Sequence, residues 1–367
     1  MGDGRGRLVA AIAASIVVVF GAPYVGQLRA AIQRTLPGQY RLIIGGSIAV
    51  AILVALGAAL VRIRDRRLLR YGLVLAALVG AGIYAVATAT GNGAVDVVER
   101  FHFVEYGFIT FLFYRVWHDR ANVEALLFPL LAGLIVGTFD EGFQWLVPAR
   151  VGELHDVLLD GAAVTCGLAF SLGLHPPASL TLAVAARTRR TISVFVAATM
   201  VILAAFFGVV HLGYEVDGGD AGRFLSRYSA DDLRAAARDR AARWKTEPPL
   251  VLHRMSVEDH YLAEGVWHIQ RRNEGTGLNT WKENLILERF FDPVLEYRTY
   301  STPSGARWPQ EQRANVEAQH GHDATPYVST ANPYPIYAWN AVTYWAMVAA
   351  VVAVAVFGIM KVGVRTR

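Results

Sequence analysis

Three stretches of the chain carry side chains able to move protons or grip a charged ligand. His102, Glu105 and Tyr106 stand at i, i+3 and i+4, which puts all three on one face of a helix. Asp140, Glu141 and Gln144 fall within a turn and a half, and Asp140 and Gln144 share a face. Arg150 follows, then Glu153, His155 and Asp156, with Asp160 one turn beyond Asp156. Carboxyls beside an imidazole suit general acid and base work, with Glu105 or Asp140 exchanging the proton, His102 as its partner and Glu141 alongside. Arg150 offers a planar fork of donors that fits a phosphate or carboxylate, and Gln144, Tyr106, Asp156 and Asp160 can bind the rest of a ligand. His102, Glu105, Asp140 and Asp160 are also a donor set that zinc or manganese accepts, so a metal site is an alternative, with no residue assigned to it.

The elements that must position these groups are apolar. Of 367 residues, 54% are hydrophobic and 18% charged, and the mean hydropathy is +0.34, too apolar for a single soluble core. A water-soluble enzyme is thereby set aside. Runs of spanning length recur at Leu8 to Tyr24, Leu42 to Val61, Tyr71 to Ala89, Phe101 to Trp117, Leu126 to Val147, Leu154 to Leu174, Ile192 to Leu212 and Ala341 to Met360. The expected fold is an all-α polytopic membrane protein of about eight transmembrane helices, with one mainly helical extracytoplasmic domain between helices seven and eight. Arg5 and Arg7 precede the first run, which makes a signal peptide the alternative to a retained span. The net charge of +5 and the pI near 9.3 come from arginines beside apolar runs, which read as topology signals and leave no nucleic-acid partner to invoke. The lone Cys166 can form no internal disulfide.

Orientation follows from the basic residues in alternate loops. Arg62, Arg64, Arg66, Arg67 and Arg70 follow span two, Arg115 and Arg120 close span four, Arg187, Arg189 and Arg190 follow span six, and Lys361, Arg365 and Arg367 end the chain. The opposite loops carry Arg100 and Arg150; Arg29, Arg34 and Arg41 between spans one and two run against the pattern. Both termini are expected in the cytoplasm and residues of about 213 to 340 outside. The chain then divides into spans one to three (1–90), a core of spans four to six (91–175), span seven (176–212), the soluble domain (213–340) and span eight with its tail (341–367). From the outer ends of their spans, Glu105 and Tyr106 lie roughly 6 Å deep, Asp160 roughly 10 Å and Asp140 roughly 12 Å. They form one layer in the outer half of the membrane.

In the soluble domain, Ser229 and Asp232 form a capping box that starts a helix toward Trp244. Further helices are expected over 257–272 and 280–291, with irregular chain after Pro293 or a short strand from Val294 to Tyr300. His260, Glu264 and His268 recur every four residues, a spacing that reads as a solvated helix face with the tryptophan side buried.

The polar layer has a plain structural reading as well. His102, Arg150, Glu153 and Asp156 can be interfacial charges that reach water, and His102 with Arg150 can neutralise a buried cluster. Glu105, Asp140, Glu141 and Asp160 fit that reading less easily, since an Asp near a helix centre costs about 2.5–3.5 kcal/mol to insert. Four acids against few bases call for bound protons or a cationic ligand.

Taken together, Glu99-Arg100-Phe-His102-Phe-Val-Glu105-Tyr106, Asp140-Glu141-Gly-Phe-Gln144, Pro148-Ala-Arg150 and His155-Asp156-Val-Leu-Leu-Asp160-Gly161 resemble the VanZ-like membrane proteins. Those carry a His with a Tyr four residues on, a Glu-x-x-Gln, an Arg and an Asp-x-x-x-Asn-x-x-Gly; Asp160 stands here in the Asn place. The likeness covers residues of about 99 to 174. It implies a multi-pass protein of the bacterial plasma membrane, in the cell envelope, in a family associated in some members with low-level resistance to the lipoglycopeptide teicoplanin. It names no cofactor. The expected ligand is a membrane lipid or a lipid-linked or glycan envelope intermediate, bound or processed in the acidic pocket. The alternative is a non-catalytic scaffold or binding module whose extracytoplasmic domain recruits a protein partner.

Overall fold

The computed structural model describes residues 2–36, 38–120, 122–146, 152–177, 186–247, 260–296, 305–332 and 334–361. Along the chain run α1 (Gly2–Thr35), α2 (Tyr40–Arg62), α3 (Arg67–Ala87), α4 (Gly93–Trp117), α5 (Glu124–Leu146), α6 (Leu154–Leu174) and α7 (Ala186–His211). Strands β1 (Tyr214–Asp217) and β2 (Arg223–Ser226) follow, then α8 (Ala230–Arg243), α9 (His260–Glu274), α10 (Leu278–Phe290), α11 (Asp292–Glu296), α12 (Gln310–His320) and α13 (Ala341–Lys361). Seven of these helices are long and apolar enough to cross a bilayer: α1, α2, α3, α5, α6, α7 and α13. The chain is a multi-pass, all-α membrane protein. The run expected as span four is the helix α4, but Asp96, Glu99, Arg100, Glu105 and Arg115 keep it below the apolarity of those seven. α1 runs on past the expected span end at Tyr24 to Thr35, so Arg29 and Arg34, expected in a loop, are helical.

The described chain forms two compact units, the first comprising residues 1–144, 152–206 and 346–367, the second 145–151 and 207–345. In the first unit, half of the apolar window of α5 and nearly half of that of α6 are buried by protein, whereas α2 is almost bare. Side chains such as Leu42, Val54, Leu68 and Val86 point outward, as they must where the solvent is lipid. With no hydrophobic force between helices in that medium, close packing holds them, and small residues permit it. A Cβ on Gly167 of α6 would lie 2.7 Å from the Cα of Gly107 on α4. On α5, one on Gly133 would meet Val164 at 2.8 Å, and one on Gly137 would meet the Asp160 carboxylate at 2.8 Å. Gly173 similarly admits the Arg70 backbone of α3 at 2.7 Å. Around these contacts Tyr106, Ile109, Val136, Ala163 and Val164 form the core, joined by Ala11 of α1.

Hydrogen bonds gather the basic helix ends on one side of this unit. Arg7 of α1 reaches Asp119 after α4 at 3.1 Å, Arg62 of α2 reaches His175 after α6 at 2.7 Å, and Arg70 of α3 reaches Gly173 at 2.9 Å. The basic ends of α1, α2 and α3 thus meet the chain that follows α4 and the end of α6. At the other end Arg41, the exception, stands against Gly93 at the start of α4.

The second unit is a small helical domain with a hairpin. β1 and β2 pair antiparallel from Tyr214↔Ser226 to Asp217↔Arg223, and Val216 and Phe224 point into a core with Leu233, Tyr261, Ile269, Leu287, Phe290 and Phe291. At the turn Gly222 takes φ +97, and a side chain there would strike the Tyr327 carbonyl. The capping box of Ser229 and Asp232 forms with both hydrogen bonds. The strand expected from Val294 is instead the helix α11; its residues 297–300 lie outside the described chain. Pro293 sits at the first turn of that helix, where its missing N–H costs nothing, so it begins a helix where a break was expected.

Replacing Gly167 with Ala is expected to lower the unfolding free energy of the detergent-solubilised protein by about 1–3 kcal/mol. Gly82→Ala, whose added Cβ meets nothing within 4 Å, is expected to leave the melting curve unchanged or raised.

Candidate functional site

α4, α5 and α6 bring their polar faces together one turn from the glycine contacts that join them. His102 Nδ1 lies 2.8 Å from Asp160 Oδ1, with the imidazole 14% exposed and the carboxylate 1%. The His102 and Tyr106 rings stack at 5.8 Å. Tyr106 donates to Asp140 Oδ2 at 2.8 Å, and Gln144 donates to the same oxygen at 3.0 Å and to Glu141 Oε1 at 2.8 Å. Tyr106, Asp140, Glu141, Gln144 and Asp160 are all buried. Glu105 and Asp156 are half-buried at the edge of this group; both act electrostatically on His102, and Asp156 acts also on Glu99. Arg150 and the Pro148-Ala149 segment before it lie outside the described residues. Of the expected site residues the structure therefore assembles His102, Glu105, Tyr106, Asp140, Glu141, Gln144, Asp156 and Asp160 around one locus.

Two carboxylates in the cluster keep an open oxygen. Asp140 Oδ1 and Asp160 Oδ2 are buried without a well-formed hydrogen bond, although each partner oxygen is engaged and the Tyr106 hydroxyl stands near enough to Asp160 to act on it. A carboxylate oxygen left this way can take a proton or a donor from a ligand. Tyr84 of α3, not among the expected site residues, lies within electrostatic reach of Glu99, Asp156 and Asp160. The described residues offer no three His, Cys, Asp or Glu side chains grouped as a metal would require.

No family model, curated protein or solved structure matches the chain.

The second unit has polar groups of its own. His260, Glu264 and His268 were expected on a solvated face, but all three are buried, and it is Trp267 that is 43% exposed. Their spacing reflects a core-facing stripe of α9, with separate partners. His268 meets Glu283 at 2.7 Å, and Glu264 accepts from the Ser226 hydroxyl at 2.5 Å and the Arg227 N–H at 3.0 Å. Burial raises the Glu264 pKa, with those two hydrogen bonds opposing it. For Glu283 burial also acts upward, but the hydrogen bond and charge of His268, then the hydroxyls of Ser329 and Tyr327, hold it below the usual range. His260 stacks on Trp145 at 4.0 Å, and neither ring nitrogen has a hydrogen-bond partner. Burial, then the charge of Arg227, takes its pKa from 6.5 to about 3.

Two outcomes follow. Because His260 is neutral when folded and charges readily when unfolded, it contributes stability above pH 6.5 that is lost as pH falls toward 3; the melting temperature should drop across that window, and His260→Phe should flatten the drop. In the membrane core, His102→Leu leaves Asp160 without its partner and should cost about 3–5 kcal/mol, whereas adding Asp160→Leu to it should restore most of that loss. Chemical or thermal unfolding of the two single variants and the double one measures the coupling.

Proposed function

We propose that this chain is a cell-envelope protein of VanZ-like type, resident in the bacterial plasma membrane with both termini cytoplasmic and residues of about 213 to 340 outside. Its acidic cluster then opens in the outer half of the membrane and binds the polar head of a lipid-linked or glycan envelope intermediate, exchanging a proton with it. The observation that carries this reading is the pair of open oxygens on Asp140 and Asp160. A cluster built for stability alone gains by satisfying its buried lone pairs, because an unmet polar atom in such a place costs free energy. An acceptor pair flanking a tyrosine hydroxyl suits a ligand rich in O–H or N–H donors, which describes a sugar or an amino group. Acids in excess of bases favour the same ligands, and Glu105 at the edge of the group provides a further carboxyl at the ligand's entry.

On this reading Tyr106 and Gln144 hold Asp140 in place through its Oδ2, so that Oδ1 faces the ligand, and His102 does the same for Asp160. Proton exchange falls to Asp140 or Glu105. Arg150, in the adjoining loop, meets a phosphate or carboxylate of the ligand. The second unit is read as the extracytoplasmic domain that receives a protein partner.

The test uses the full chain in lipid nanodiscs with a polyprenyl-phosphate-linked sugar as probe. Asp140→Asn, Glu141→Gln and Glu105→Gln preserve shape, and at least the first is expected to weaken binding about tenfold or more with the melting temperature retained. If the three variants bind the probe as the parent chain does, the pocket reading is wrong; if they melt early or fail to accumulate, the cluster is structural.

A further inference from the structure

Away from the acidic layer, the ends of α2, α3, α4 and α6 meet around a cavity of about 440 Å3 lined by Arg62, Asp65, Arg70, His118, Leu174 and His175, with Pro176 beside them. His175 follows Asp160 by about four helical turns, roughly 22 Å along the axis. The two places share a bundle but no residue, and nothing below depends on the proposed function.

Cations outnumber anions at this end. Asp65 is paired with Arg70, and Asp119 is engaged by Arg7 at 3.1 Å and His118 at 2.9 Å. Arg62 and Arg115 have no carboxylate partner among the described residues. Arg62 donates instead to Nε2 of His175 at 2.7 Å. The Nε of Arg115 is buried without a hydrogen-bond partner, and its guanidinium lies 6.0 Å from the centre of the Phe111 ring.

The imidazole reports on the same field. A guanidinium cannot accept, so Nε2 of His175 is the accepting nitrogen and the ring proton sits on Nδ1. Burial, then the charges of Arg115, Arg62, His118 and Arg70, push His175 down to about 4. The ring is neutral at physiological pH. Arg115 does not itself line the cavity, but it stands one turn before His118, which does, and its guanidinium lies 6.0 Å from the Phe111 ring, itself 6.1 Å from the His175 ring. The last carbonyls of α6 would repel an anion, but Arg70 covers those of Gly173 and Leu174, and the Tyr114 hydroxyl covers that of His175. The helix end is therefore masked, while neither Arg62 nor Arg115 is neutralised by a carboxylate among the described residues.

We infer that this cavity binds a phosphate group between Arg62 and Arg115. Two forked donors match phosphate oxygens, and a space of this size admits a phosphate with a glycerol-sized substituent. The head of an anionic phospholipid and free phosphate share that chemistry; a place at the ends of membrane-spanning helices favours the lipid.

The full chain, purified in detergent, is titrated with dihexanoyl phosphatidylglycerol and separately with inorganic phosphate, with binding read by calorimetry. Phosphatidylglycerol should saturate one site, and Arg62→Gln and Arg115→Gln should each weaken it about tenfold or more. Arg64→Gln, an exposed arginine that donates to the Val61 carbonyl, should leave it unchanged, as should Asp140→Asn. Competition by inorganic phosphate assigns the site to the phosphate itself, lack of competition to the intact lipid head, and binding of inorganic phosphate alone to a soluble anion. Should a Gln variant melt early, Arg115→Lys decides, since it keeps the charge and loses the fork. Weaker binding at an unchanged melting temperature supports the site. Equal affinity in the parent chain and all the arginine variants, or saturable binding by neither probe, overturns it.

Discussion

The backbone contact between Gly107 and Gly167 is the constraint on which the membrane unit turns. In lipid every polar group must be answered within the protein, and helices can answer one another only when their axes come close. The absence of side chains at 107, 133, 137 and 167 brings α4, α5 and α6 together. His102 and Asp160, on α4 and α6, then fall within hydrogen-bond distance, and Tyr106 reaches from α4 to Asp140 on α5. A larger residue at any of these four positions would push a helix outward and lengthen those bonds before it changed any polar group.

α6 is the axis about which the unit is polarised. Its first two turns carry Asp156 and Asp160, and its last turn ends among Arg62, Arg70 and His175. The three neighbours that reach its far end, α2, α3 and α4, do so with cations or a hydroxyl aimed at its terminal carbonyls or its terminal imidazole. Capping of this kind compensates the helix dipole where cations are most effective. It also anchors the register of α6, so that the position of Asp160 among its partners is held from both ends.

Much of this was legible in the residues, because the readings rested on short-range rules. Spacing alone placed His102, Glu105 and Tyr106 on one face, and the Ser229–Asp232 box was visible as a local pattern. Arginines beside the first three apolar runs stand at one end of the first unit, next to the ends of α4 and α6. What escaped depended on partners distant in the chain. The hairpin at 214–226 rests on two strands of four residues, too short for a firm alternation, and its inward Val216 and Phe224 gain meaning only from the core they meet. His260, Glu264 and His268 share a face by spacing, yet spacing cannot tell whether that face looks to water or to the core; the hydrogen bonds supplied by Ser226 and Arg227 and the Glu283 carboxylate made burial affordable. The assignment of one Asp160 oxygen to His102 and the vacancy on the other likewise belong to tertiary geometry.

The chain contains the same chemical pair twice, and the two differ in how completely the carboxylate is satisfied. In the second unit Glu283 accepts from His268 at 2.7 Å on one oxygen and from Ser329 at 2.5 Å and Tyr327 at 2.6 Å on the other. Every direction of that carboxylate is answered, as a network kept for rigidity requires. In the membrane unit Asp160 takes His102 on one oxygen, while the other has no well-formed hydrogen bond and shares the neighbourhood of the Tyr106 hydroxyl with Asp140, in a medium where an unmet acceptor is dearer than in a soluble core. A packing-driven cluster would have gained by filling that position with a further donor, as the second unit does with two hydroxyls. Asp140 shows the same asymmetry, with two donors crowded onto one oxygen and the second left open. Two neighbouring carboxylates thus each keep an oxygen without a well-formed hydrogen bond, and the proposed ligand site rests on that asymmetry.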